Sequence, residues 1–181
     1  AEVGDETDPS AIRALLVHHR ASLEPERRAT LYRFLGQHHL AAGDLESARA
    51  RFEQSLADNP GDGEALEGLL EVVSEIGEPT DILDVRRRLI DSFRSARKRS
   101  DALLQLADDW IETFSDRERA LDALSGAIAE HEHNQEAWER MAEVARELGD
   151  WQRVYTAFLQ LSRLADDDEA RADYLIEASE V

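Results

Sequence analysis

The chain has 181 residues, an apolar share of 42% and a formal net charge of −19, from 40 acidic and 21 basic residues. That balance opposes sequence-independent binding to phosphate backbones and to anionic lipid. Cysteine is absent, which excludes disulfides and thiol chemistry, and no apolar run reaches the roughly 18 residues of a membrane span, so membrane insertion is not expected.

Ala1 to Asp8 is polar and acidic and reads as an edge within a longer protein. Asp8 before Pro9 is a helix start, and Ile12, Leu15, Leu16 and His19 then recur at helical spacing over 9–22. Pro25 restarts the chain. A helix over about 26–42 carries Leu31, Leu35 and His39 on one face and stops at Gly43, which favours the left-handed cap. Leu45, Ala48, Phe52, Ser55 and Leu56 define its partner, ending at Asn59-Pro60-Gly61. In the next segment, 63–100, the first helix holds Ala65, Leu66, Leu69, Leu70 and Val73 and ends at Gly77. Pro79 is expected in the turn and Asp81 as the cap of a helix through Ile82, Val85, Leu89, Phe93 and Ala96. Segment 101–134 uses Leu103, Leu106, Ala107, Trp110 and Ile111, then Ala120, Leu121, Leu124, Ala127 and Ile128. Segment 135–168 pairs Ala137, Trp138, Met141 and Ala145 with Trp151, Val154, Phe158 and Leu161. Residues 169–181, with Ala172, Leu175 and Ile176, read as one more helix without its mate.

These hairpins are copies of one unit. Tyr32, Leu35, Gly36, His39, Gly43-Asp44, Ala48, Phe52 and Pro60 return 106 residues later as Trp138, Met141, Ala142, Ala145, Gly149-Asp150, Val154, Phe158 and Asp166. A weaker copy runs through Leu104, Ala107, Ile111, Asp116, Ala120, Leu124 and Ala127. A 34-residue unit of this kind cannot bury its own apolar face, so stacking of copies decides the fold. Ala48 and Ala120 fall at the close crossing of their hairpins, and Phe52 and Phe158 fill the gap toward the next helix.

Position by position the units at 29–62, 63–100, 101–134 and 135–168 resemble the tetratricopeptide repeat family. Units one and four match well. Unit two lacks the close-crossing alanine and has Ile82 or Leu83 there. Unit three has Ser115 for the turn glycine and Glu132 for the closing proline. The resemblance implies an all-α, right-handed superhelical solenoid of about four hairpins, flanked by 1–28 and by an unpaired or capping helix at 169–181. It is specific for fold and weak for function, because the shared residues are packing residues.

Several constellations compete for a functional reading. His18-His19, His38-His39 and His131/His133 lack the i, i+3 or i+4 spacing of same-face ligands, so no metal is expected; His39 reads as a packed, hydrogen-bonded histidine. No phosphate loop, nucleophile elbow or zinc-protease run occurs, and no cofactor or catalytic centre is expected. Arg86, Arg87, Arg88, Arg94, Arg97, Lys98 and Arg99 concentrate seven basic residues in fourteen positions. They are either a solvated outer face or a docking patch for an acidic partner; without interleaved aromatics they do not read as a nucleic-acid site.

By the resemblance, the first helix of each hairpin lines a concave surface. The positions that face it hold Glu64, Glu67, Glu71 and Glu75 in unit two, Asp109 and Glu112 in unit three, and Glu136, Glu139, Glu143 and Glu147 in unit four. Ten carboxylates there imply a groove for a basic protein or peptide segment. Chaperone-tail binders of the family hold lysine and asparagine at these positions, so glutamate contraindicates that activity. The reading is therefore a non-catalytic protein-interaction scaffold, a fragment of a larger protein. The alternative is a spacer that self-associates through Ile12, Leu15 and Leu16 at one end and Leu175 and Ile176 at the other; a weaker one is the sensor domain of a regulatory enzyme.

Overall fold

The computed structural model describes residues 8–181, so the reading of Ala1–Thr7 as an acidic edge lies outside the described residues. The described residues form ten α-helices: α1 (Pro9–His19), followed by a 3₁₀ turn at Arg20–Ser22, then α2 (Pro25–Ala41), α3 (Leu45–Asp58), α4 (Gly63–Ile76), α5 (Pro79–Ser92), α6 (Ala96–Glu112), α7 (Arg117–Glu130), α8 (Gln135–Leu148), α9 (Trp151–Leu164) and α10 (Asp168–Ser179). Among the described residues there is no strand, and no helix is long and apolar enough to cross a membrane. The helices gather into two compact units that divide between Ser92 and Phe93. In each unit a helix packs chiefly on its neighbours in the chain, the pattern of an all-α solenoid.

Side-chain caps start most of the helices. Asp8, Asp44, Asp62, Asp116, Asn134, Asp150 and Asp167 each accept a backbone N–H from the first turn that follows, as an acid or amide at this position does. In the first unit, Ile12 and Leu16 of α1 bury themselves against Leu31, Tyr32 and Leu35 of α2. Ala48 at the α2–α3 crossing has no exposed surface, and Ser55 uses its hydroxyl to donate to the Ala29 carbonyl at 2.8 Å. In the second unit, Ala120 and Ala127 of α7 and Ala137 and Ala145 of α8 are equally enclosed, which lets these backbones approach closely.

Three helix limits differ from the sequence expectation. Pro79 is the first residue of α5 rather than a turn residue, in keeping with its fixed φ and missing N–H. Asp81 lies inside that first turn and takes an ion pair from Arg49 at 2.9 Å. Finally, α5 ends at Ser92, leaving Phe93 outside it, and Ala96 opens α6 instead of extending α5. The second repeat, at 63–100, is longer than the 34-residue unit, and its extra residues form an added first turn on α6. Its cap, Ser95, accepts the Lys98 N–H at 3.4 Å.

The turn that closes three of the hairpins requires a left-handed residue. Gly43 and Gly149 supply it at φ 74° and 72°, while Ser115 is forced to φ 52° at the corresponding place. A β-carbon in that region costs about 1 kcal/mol relative to glycine. Ser115→Gly is therefore expected to stabilise the second unit by about 1 kcal/mol, less the glycine's extra unfolded-state entropy, read as a rise in the urea midpoint at unchanged m.

Candidate functional site

The ten carboxylates singled out by the sequence divide between the units. Glu64, Glu67, Glu71 and Glu75 lie on α4 of the first unit and all four are exposed. Their spacing of three to four residues makes them one ridge. Arg33 of α2 pairs with Glu64 and reaches the capping Asp62 at 3.2 Å. Glu67, Glu71 and Glu75 have no ion pair among the described residues.

The other six lie in the second unit. Asp109 is half-buried and already engaged, and Glu112 is exposed at the end of α6. Glu136, Glu139, Glu143 and Glu147 again form a ridge along α8. Most of this ridge is pre-paired: Glu147 with Arg117 of α7, and Glu143 with Arg140 at 3.0 Å, an arginine that also holds Asp108 at 2.8 Å. Glu139 accepts hydrogen bonds from the Tyr174 phenol at 2.9 Å and from Gln135 at 2.9 Å.

Tyr174 belongs to α10, and through it the terminal helix completes a groove. This half-open cavity of about 390 Å³ lies among α8, α9 and α10. Its floor is Ala142, Phe158 and Leu161, and its rim carries Glu139, Glu143, Asp173 and Glu177 against one guanidinium, Arg146. Arg146 pairs with Glu177 at 2.8 Å and lies over the Phe158 ring at 5.4 Å. The Phe158 and Tyr174 rings are 6.3 Å apart. Burial first, and then the Glu139 carboxylate, push the Tyr174 phenol above its usual pKa, so it stays a neutral donor.

Asp173, Tyr174 and Glu177 are absent from the sequence candidates. Their signal is present in the chain: at i, i+1 and i+4 on a helix following the fourth hairpin, they repeat the acidic first-helix pattern one unit on. Phe158 also differs from expectation. Expected to fill the gap between unit four and the terminal helix, it is half-buried and lines the open groove, with Tyr174 of α10 beside it.

The basic run is divided by the unit boundary. Arg86, Arg87 and Arg88 are on α5, with Arg87 and Arg88 exposed and Arg86 half-buried and engaged. Arg94 lies between helices, and Arg97, Lys98 and Arg99 occupy the first turn of α6. Arg99 is bound up in structure, pairing with Glu130 at 2.7 Å and donating to the Phe93 carbonyl at 3.0 Å, while Lys98 sits over the Phe93 ring at 5.6 Å.

Among the described residues no cluster of three or more metal-ligating side chains occurs. His39 is the packed, hydrogen-bonded histidine expected: its Nδ1 lies 3.1 Å from Asp44 Oδ2 and its Nε2 3.1 Å from Arg13.

No family model matches the chain, and no curated protein matches it. Solved structures do. The chain is similar to MamA, at 19% identity and a TM-score of 0.57, over 84% of this chain and 91% of that one. It is similar to YrrB, a TPR protein with an unusual peptide-binding site, at 16% identity and a TM-score of 0.59, over 96% of this chain and 82% of that one. A tetratricopeptide repeat protein from Parabacteroides merdae aligns at 18% identity and a TM-score of 0.62, over 95% of this chain and 66% of that one.

Proposed function

From a chain with the tetratricopeptide-repeat fold, we propose a non-catalytic protein-interaction scaffold whose acidic first-helix faces take a basic segment of a partner. The observation that carries this reading is the groove among α8, α9 and α10, where an apolar floor meets four rim carboxylates and a single arginine. Such a site suits an extended segment with an arginine or lysine beside an apolar side chain. The apolar residue would enter over Ala142 and Leu161, and the cation would exchange with Arg146 at Glu177 or add to Glu143. The exposed α4 ridge of Glu67, Glu71 and Glu75 would act at longer range, raising the encounter rate.

A charge-neutral variant tests it. Glu139→Gln, Glu143→Gln, Asp173→Asn and Glu177→Gln together keep size, and the amide oxygen introduced by the first of them can still accept the Tyr174 hydrogen bond. The variant is expected to fold, and to bind an Arg-Leu-Arg-containing peptide at least about tenfold more weakly, the scale of one lost charge-assisted pair. Equal affinity of variant and wild type in fluorescence anisotropy would remove this groove as the site.

The spacer reading keeps one supporting observation and loses another. Leu175 and Ile176 are 45% and 55% exposed on α10, an uncovered apolar stripe. At the other end Ile12 and Leu16 are buried against α2, with Leu15 partly buried beside them.

A further inference from the structure

The first unit holds a second groove, of about 450 Å³, between α1 and α3 with α2 as its floor. Its chemistry is opposite to that of the α8–α10 groove. Arg13 and Arg20 of the α1 segment and Arg51 of α3 converge on it, and no carboxylate lines it, in a chain of net charge −19. Leu16, Tyr32 and Leu35 give it an apolar base.

Among the described residues, the hydrogen-bond partners of Arg13 and Arg51 are neutral groups. An arginine can only donate, so Arg13 donates to Nε2 of His39 at 3.1 Å, and the imidazole carries its proton on Nδ1, toward Asp44. Arg51 donates through Nη1 to the Gln54 amide oxygen at 2.8 Å, and its Nε is buried with no hydrogen-bond partner. A buried guanidinium N–H without an acceptor is costly to maintain. Asp58, on which Arg20 acts electrostatically, is already gripped by Arg28, whose hydrogen bond is the first cause of its lowered pKa and Arg20 the last. Val17, at 77% exposure, stands on the rim as an apolar contact without a partner.

We propose that the α1–α3 groove docks an acidic peptide segment of a partner protein, one that carries an apolar side chain next to its carboxylates. The apolar side chain packs on Leu16 and Tyr32 beside Val17. One carboxylate pairs with the Arg51 guanidinium, and a second bridges Arg13 and Arg20. The site goes beyond the basic-segment reading and is independent of it, since sign, helices and unit all differ. A scaffold with one acidic and one basic groove can hold two partners of opposite charge.

The test uses the full chain and a capped, fluorescently labelled Asp-Glu-Phe-Asp-Glu peptide, with Asn-Gln-Phe-Asn-Gln as its uncharged counterpart. The charged peptide is expected to bind and the uncharged one to bind at least about tenfold more weakly. Arg51→Met and Arg20→Gln should each weaken binding by a comparable factor, while the thermal midpoint of Arg51→Met stays at or above wild type because the unmet N–H is gone. Replacing the α8–α10 carboxylates should leave this binding unchanged. Unaltered binding by both arginine variants would overturn the proposal. So would displacement of the peptide by millimolar inorganic phosphate, which would mark a simple anion site. Self-association abolished by Arg51→Met would also overturn it, by making a second copy the occupant.

Discussion

Phe52→Ala is expected to destabilise the first unit by about 3–5 kcal/mol, the largest effect of any single truncation in the chain. The ring is fully enclosed. It sits between two helical glycines: a β-carbon on Gly36 would fall 2.7 Å from the ring, and one on Gly68 closer still. Two missing side chains make the slot, so nothing nearby can collapse into the cavity that alanine would leave. Gly68→Ala should accordingly cost about 1–3 kcal/mol by overpacking, despite alanine's better helix propensity. Phe158 occupies the equivalent place in the fourth hairpin and should behave differently. It lines an open groove, so Phe158→Ala is expected to cost about 1–2 kcal/mol, with the larger consequence falling on ligand binding. Urea denaturation of both variants checks the ranking. Equal losses would mean that the two aromatic sites are packed alike.

Asn134→Ala is the second large effect, expected at about 2–4 kcal/mol from two losses. The Asn134 side chain caps α8 by accepting the Ala137 N–H at 3.2 Å, and its amide donates to the fully buried Ser100 hydroxyl at 2.8 Å and to Asp101 at 3.4 Å. Truncation uncaps a helix and strands a buried hydroxyl. Asn134→Ser restores the cap alone and is expected to recover about 1 kcal/mol of the loss. If the alanine and serine variants unfold at the same midpoint, the cap contributes nothing there.

The contrast between these two residues shows what can be read from the chain. Phe52, Ala48, Gly43 and Gly36 are legible because repetition exposes them: Phe52 and Gly43 return 106 residues on as Phe158 and Gly149, Ala48 is matched by Ala120, and Gly36 by another small residue, Ala142. Asn134 is not legible, because its value comes from Ser100, a residue 34 positions away that only the fold brings near. The limits of α5 and α6 escape sequence reading for a related reason. An apolar period through Leu89, Phe93 and Ala96 looks continuous, and only Ser95 acting as a cap breaks it. At the candidate sites, the acidic first-helix ridges can be read from spacing, whereas their pairing cannot. Arg33, Arg117 and Arg140 reach them from other helices or other turns, and the terminal helix adds Asp173, Tyr174 and Glu177. The α1–α3 groove is invisible in the chain order, since Arg13, Arg20 and Arg51 form no run.

Whether the α8–α10 groove holds a basic segment can be read from the backbone amide shifts of the labelled protein during titration with an Arg-Leu-Arg-containing peptide, at low and at physiological salt. Shifts are expected to concentrate at Ala142, Glu143, Arg146, Asp173, Tyr174 and Glu177, and affinity to fall as rising salt shortens the Debye length to about 8 Å. Shifts confined to other surfaces, or an affinity insensitive to salt, would contradict it.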